Sequence, residues 1–137
     1  MNVLGIDIGG ANLKFCDADG ESHAIPFPMW TDWERLSETL RNVFDEHFSA
    51  KKPKMIAVTM TAELADCFAT RHAGVEYVIG AVEGAFSDLP QRYWLTSGEF
   101  GSADDARELP ELVAAANWHA SATWATRSVP DLSLIHI

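Results

Sequence analysis

Apolar and polar positions along this chain change period several times. Val3-Leu4-Gly5-Ile6-Asp7-Ile8-Gly9 is a short apolar run that closes on an acid and two glycines, which suits a buried strand. Leu13 and Phe15 alternate with polar neighbours and lead into Asp19-Gly20, a hairpin-turn pair, so a second strand follows. The stretch from Ser22 to Trp30 reads as a third extended piece. Its Pro26 and Pro28 cannot donate to a ladder, which places it at a sheet edge. The period then lengthens. Trp33, Leu36, Leu40, Val43, Phe44, His47 and Phe48 recur at steps of three and four, behind Thr31-Asp32-Trp33-Glu34, which has the form of a capping box. That pattern predicts a helix of about 17 residues with one apolar stripe. Lys51-Lys52-Pro53 is expected to end it, with basic groups near the negative pole of the helix.

Residues 55–61, MIAVTMT, form a second buried-type strand that runs into Thr59, Thr61 and Glu63. Arg71 to Phe86 reads as a helix with Val75, Val78, Ile79 and Val82 inward, although Gly80 and Gly84 weaken its regularity. Tyr93 to Thr96 is a short strand entering Ser97-Gly98-Glu99-Phe100-Gly101, and Leu109 to Thr126 reads as one alanine-rich helix. The order is strand, strand, strand, helix, strand, helix, strand, helix. A meander followed by right-handed crossovers gives an α/β fold with a mixed five-stranded sheet and helices on both faces.

Composition narrows the function. A chain of 137 residues suits one domain, and 47% hydrophobic content supports a packed core. The formal net charge of −10 repels nucleic acid and anionic membranes, so neither is an expected partner. It also repels phosphorylated substrates unless a cation or local donors offset the field. Cys16 and Cys67 have neither metal-ligand spacing nor a disulfide framework and read as small structural thiols. No basic n-region opens the chain, and no apolar run approaches the ~20 residues that span a bilayer. A cytoplasmic location is the expectation.

In a parallel sheet, ligands gather at the carboxyl ends of strands. Asp7 ends the first strand, Thr59 to Glu63 end the fourth, and these strands are expected neighbours. Asp7 is a hard oxygen ligand suited to Mg²⁺. Gly9 and Gly10 let backbone N–H groups approach an anion, and Asn12 and Lys14 can donate to phosphate oxygens. The same residues also make a plain hairpin, with Gly-Gly in the turn and Lys14 solvated. The loop is neither G-x-G-x-x-G nor G-x-x-x-x-G-K-[ST], and it enters a strand, which argues against a dinucleotide fold. Glu63 serves either as a second carboxylate near Asp7, able to act as a base, or as a cap of the next segment. Asn117 and His119 stand among small residues on the last predicted helix, where each is as readily structural as functional.

GIDIGGANLK resembles the first phosphate loop of the actin-like ATPase superfamily, and the element order resembles its ribonuclease H-like half-domain. More narrowly, DIGGANLK, VTMTAELAD and AANWHASA resemble a hydantoinase/oxoprolinase-related family of tetrahydromethanopterin-linked one-carbon transfer. Its archaeal relatives are the aminomethylfuran synthases of methanofuran biosynthesis. The resemblance covers residues 1 to 128 and implies a transferase. An aminomethyl-furan-methanol diphosphate loses diphosphate, and the phenol oxygen of γ-glutamyltyramine takes its place. It further implies that Asp7 organises Mg²⁺, that Gly9, Gly10 and Asn12 cradle the diphosphate, and that Lys14 neutralises it. Glu63 would accept the phenol proton, and Thr61, Asn117 and His119 would line the cleft. Ala62 stands where the family pattern T-x-E-L leads one to expect glycine, a methyl group that bears on how Glu63 sits. Two alternatives share the loop: an ATP-dependent small-molecule kinase or oxoprolinase-like amidohydrolase, and a non-enzymatic nucleotide-binding module.

Actin-like enzymes close on phosphate from two half-domains. The resemblance therefore implies that a second half-domain is missing here and that the 137-residue chain is inactive alone. Residues 129–137 are set apart as a tail, in which 131–137, ending in Leu-Ile-His-Ile, read either as the opening of the next strand or, as favoured here, as similar to adapter read-through and foreign to the family.

Overall fold

The computed structural model describes residues 2–127, so the tail at 129–137 lies outside the described residues. Six strands form one sheet in the order β3-β2-β1-β4-β5-β6. β1 (Val3–Ile8), β2 (Asn12–Cys16) and β3 (Ser22–Pro26) are the expected antiparallel meander, with proline-bearing β3 at the edge. β4 (Met55–Met60) lies parallel to β1, and β5 (Gln91–Leu95) parallel to β4. The sixth strand, β6 (Glu99–Gly101), corrects the expectation of five. It pairs antiparallel with β5 through a turn at Gly98, whose φ of +95° suits glycine.

One face of the sheet is the core. Leu4, Ile6 and Ile8 of β1, Leu13 and Phe15 of β2, and Ile56, Val58 and Met60 of β4 alternate inward. They join one cluster with α2 (Leu36–His47) and α3 (Arg71–Ala85), whose buried stripes contain Leu36, Leu40 and Phe44 and Val75, Val78 and Val82. The opposite face carries Gly5, Asp7, Lys14, Ala57 and Thr59, and α6 (Asn117–Ala125) reaches β4 there. Strand period two therefore sorts the chain into a fully packed face and an open, chemically equipped one.

Three local expectations change. The helix entry is a single turn, α1 (Met29–Asp32), and a 3₁₀ turn, Trp33–Arg35, precedes α2. Thr31 makes no capping box, because the helix already starts behind Pro28; its hydroxyl donates to the Pro28 carbonyl. Lys51 does not serve the end of α2. Its ammonium sits between Asp17 Oδ2 at 2.5 Å and Glu21 Oε2 at 2.6 Å, tying the β2–β3 hairpin to the turn Ser49–Lys51. This pairing holds the Asp17 carboxyl below its usual range.

The alanine-rich segment is not one helix. It divides into α4 (Ala103–Glu108), α5 (Pro110–Val113) and α6. Ser102 and Asp105 form a reciprocal capping box at the start of α4, and Pro110 opens α5 at a position where a missing N–H costs nothing. Between α5 and α6, Ala115 takes φ +52°, a left-handed turn that an alanine holds only under external restraint. That restraint comes from Glu63. Among the described residues no helix is long and apolar enough to cross a membrane.

Candidate functional site

Strand register assembles the site. Asp7 of β1 faces Lys14 across the antiparallel ladder and Thr59 across the parallel one, so all three emerge on the open face. The Thr59 hydroxyl donates to Asp7 Oδ1 at 3.0 Å, which orients the carboxylate. Lys14 forms no ion pair among the described residues. Asp7, Lys14 and Thr59 are shared by two adjoining cavities. One, of about 350 Å³, is walled by Asn117, Trp118, Ala120 and Ser121 of α6. The other, of about 390 Å³, continues over Gly5, Ala57 and Phe100 and is mostly apolar. The acid, the cation and the hydroxyl thus sit at the seam between a polar and an apolar compartment.

The glycine loop is a tight turn as well as an open surface. The Gly9 N–H donates to the Asn12 carbonyl at 3.0 Å, and a Cβ on Gly9 would stand 3.0 Å from that same oxygen. Gly10 has no heavy atom within 4 Å of where its Cβ would lie, so its free side faces open space. Asn12 opens β2 and is exposed. Thr61 lies near Gly9 and lines a third cavity together with Gly10 and Ala11.

Two sequence-selected residues are not brought to Asp7. Glu63 is 2% exposed and lines neither cavity that Asp7 lines. It sits in the 3₁₀ turn Ala62–Leu64, pressed against Gly74 of α3, and its Oε1 accepts the Ala115 N–H. A place as base beside Asp7 does not fit that burial; the geometry makes Glu63 the clasp of the α5–α6 link. His119 points to β5, where its Nδ1 accepts the Trp94 indole N–H at 3.1 Å. Both contacts fix α6 over the site: one at its entry, one along its length. The strand end places Thr59 at the crevice but gives it no role of its own, and motif reasoning passes over Ser121. Four-residue spacing from Asn117 along α6 is the signal available for Ser121.

Burial pushes the Glu63 carboxyl up from its ordinary value near 4.5; the N–H groups of Glu63 and Ala115 and the charge of Arg71 pull back without cancelling it. Oε2 is buried with no partner among the described residues, which matches a protonated acid. The folded state therefore holds this proton more tightly than the unfolded chain. The stability it contributes is complete below 4.5 and is lost as pH rises through the folded value. Glu63→Gln, which cannot ionise, should gain on the wild type across that window, by at most about 1.4 kcal/mol per pH unit. Urea unfolding of both proteins from acid to neutral pH measures the gap; a gap independent of pH would exclude the assignment.

No family model matches the chain. A curated relative does. It is the (4-{4-[2-(gamma-L-glutamylamino)ethyl]phenoxymethyl}furan-2-yl)methanamine synthase of Methanocaldococcus jannaschii, 37% identical over 136 residues. The match takes in 97% of this chain and 39% of the relative, so the chain spans well under half of that protein's length. Among solved structures, T. thermophilus RuvC in complex with Holliday junction substrate is similar with a TM-score of 0.44 and 20% identity. The likeness covers 67% of this chain and 62% of that one.

Proposed function

We propose that this chain is the diphosphate-holding part of a transferase that makes a furan–CH₂–O–phenyl ether. The donor is an aminomethyl-furan-methanol diphosphate and the acceptor the phenol of γ-glutamyltyramine, as in methanofuran-type cofactor biosynthesis. The observation that carries this reading is the 37% identity, sustained along almost the whole chain, to a synthase whose name is that of the ether. The three antiparallel strands, two parallel additions and strand order support a ribonuclease H-like half-domain of actin-like type, in the hydantoinase/oxoprolinase-related family.

The residues fit the chemistry. The C–O bond to diphosphate breaks, assisted by the furan oxygen, which stabilises positive charge on the methylene. The phenol oxygen then forms the new C–O bond, and its proton ends on the released diphosphate. The departing group carries the charge that needs stabilising. Lys14 supplies a point charge at the seam, and Gly10 and Asn12 offer donors along the loop, whereas the Gly9 N–H is spent on the Asn12 carbonyl and Gly9 serves the turn. Asp7 is the candidate magnesium ligand. Among the described residues no group of three His, Cys, Asp or Glu is placed to hold a metal ion, and one carboxylate plus phosphate oxygens and waters is a set that Mg²⁺ accepts. When bound, Mg²⁺ would supply charge neutralisation to the leaving group. Thr61 and Asn117 line the compartments, and Glu63 and Trp94 with His119 hold α6 in place.

The experiment supplies furan diphosphate, γ-glutamyltyramine and Mg²⁺ to a protein of the relative's full length that contains this chain. Mass spectrometry should show the ether, with one diphosphate released per ether. The 137-residue chain alone should bind magnesium diphosphate without turnover. Acceptor-dependent ATP hydrolysis with no ether formed would replace this reading with the kinase or amidohydrolase one.

A further inference from the structure

We propose that the slot between Trp30 and Leu64 is the subsite for a protonated furan-methylamine group, with Asp66 as its counter-ion; the assignment rests on the transferase reading above. Trp30 and Leu64 are 55% and 53% exposed. They line the same cavity, of about 330 Å³, together with Gly10, Ala11, Thr61 and Asp66. Neither is loosely placed. The Met29 N–H donates to the Gly10 carbonyl at 2.9 Å and the Phe27 N–H to Ala11 at 2.8 Å, so the backbone beside Trp30 is tied to the glycine loop. Leu64 and Ala65 donate back to Thr61 and Ala62, which sets Leu64 and Asp66 on the facing wall.

The chemistry of the slot selects its occupant. An indole face and a leucine suit a flat five-membered ring. A primary alkylamine is protonated at neutral pH, and an exposed carboxylate next to an indole face suits an ammonium through charge-assisted hydrogen bonding and cation–π attraction. Asp66 has no ion-pair partner among the described residues. The γ-glutamyl end of the acceptor carries its ammonium beside an α-carboxylate, which Asp66 would repel, whereas the furan amine has no acid next to it. The glycine loop also connects the slot to the seam. Gly10 lies three residues from Asp7, in the turn that follows β1. An amine held at Asp66 therefore directs the diphosphate end of a monocyclic furan toward Asp7 and Lys14.

The test is a ¹H–¹⁵N NMR titration of the 137-residue protein with furfurylamine and, separately, with furfuryl alcohol, its neutral counterpart. The amine should saturate resonances of the Trp30 indole, Leu64 and Asp66, and the alcohol should need at least tenfold higher concentration. Asp66→Asn, at an exposed position, should erase that difference. Equal binding of the two, or shifts confined elsewhere, would overturn the subsite. A parallel titration with magnesium diphosphate reads Asp7, Gly9 and Lys14 independently. A diphosphate response with no amine response removes the subsite and leaves the transferase reading. Amine in the slot with no diphosphate response keeps the subsite and removes that reading.

Discussion

Asp7→Asn should abolish magnesium-supported binding of diphosphate, by 100-fold or more by the scale of single charge-stabilising groups, and lower turnover of the full-length enzyme about as much. The substitution is nearly isosteric. Asn keeps an oxygen that can accept from the Thr59 hydroxyl, now bonded to Asp7 at 3.0 Å, so the strand register and melting temperature should hold. What is lost is the negative charge that a hard cation requires. Thr59→Val is the informative partner. It leaves the charge and removes only the hydrogen bond that orients it, which by analogy with supporting groups around metals costs roughly 10- to 100-fold. Calorimetric titration of diphosphate with and without Mg²⁺ separates the cases. Binding by Asp7→Asn that equals wild type, or wild-type binding that ignores the cation, would exclude Asp7 as the metal ligand.

The parts of this design visible in the sequence are those that a period or a register dictates. β2 follows from its alternation, and β1 and β4 from their short apolar runs. Once β1 and β4 are neighbours, Asp7 must meet Thr59, because parallel pairing fixes partners residue by residue. The stripes of α2 and α3 were legible for the same reason. β6 was not, because three residues with Glu99 and Phe100 exposed hold too little pattern to show a strand. The match at Thr31 was a capping box in form only, whereas the real one at Ser102 ends in Asp105 rather than Glu. The alanine-rich stretch gave no local sign of the turn at Ala115, since that turn is imposed from 52 residues away by the Glu63 carboxylate. Glu63 itself was readable as a residue of consequence, but its place depends on tertiary burial that no spacing encodes.

Gly74→Ala should be the most damaging small substitution in the fold. A Cβ there would stand 2.7 Å from Glu63 Cα, 2.8 Å from Glu63 O and 2.9 Å from Glu63 Cβ. Two of these atoms belong to the backbone, so no rotamer change relieves the contact. The turn Ala62–Leu64 has to retreat, and its Ala62 is fully buried. Overpacking of this kind costs about 3 kcal/mol, against which a helix gains about 1 kcal/mol from replacing glycine by alanine. For a domain of this size the net loss lowers the melting temperature by about 5–10 °C. Gly80, on the same helix, is the control. It is exposed, with nothing within 4 Å of its would-be Cβ, so Gly80→Ala collects the helix gain alone and should raise stability by about 1 kcal/mol. Opposite signs in thermal melts of the two variants are the expected result. Equal effects would mean that α3 does not press on the turn as described. The consequence also reaches the site, because a displaced Glu63 releases the Ala115 N–H and with it the link that sets α6 over Asp7 and Lys14. Gly74→Ala should therefore speed amide hydrogen exchange along 115–125 even at temperatures where the sheet stays folded, and Gly80→Ala should not.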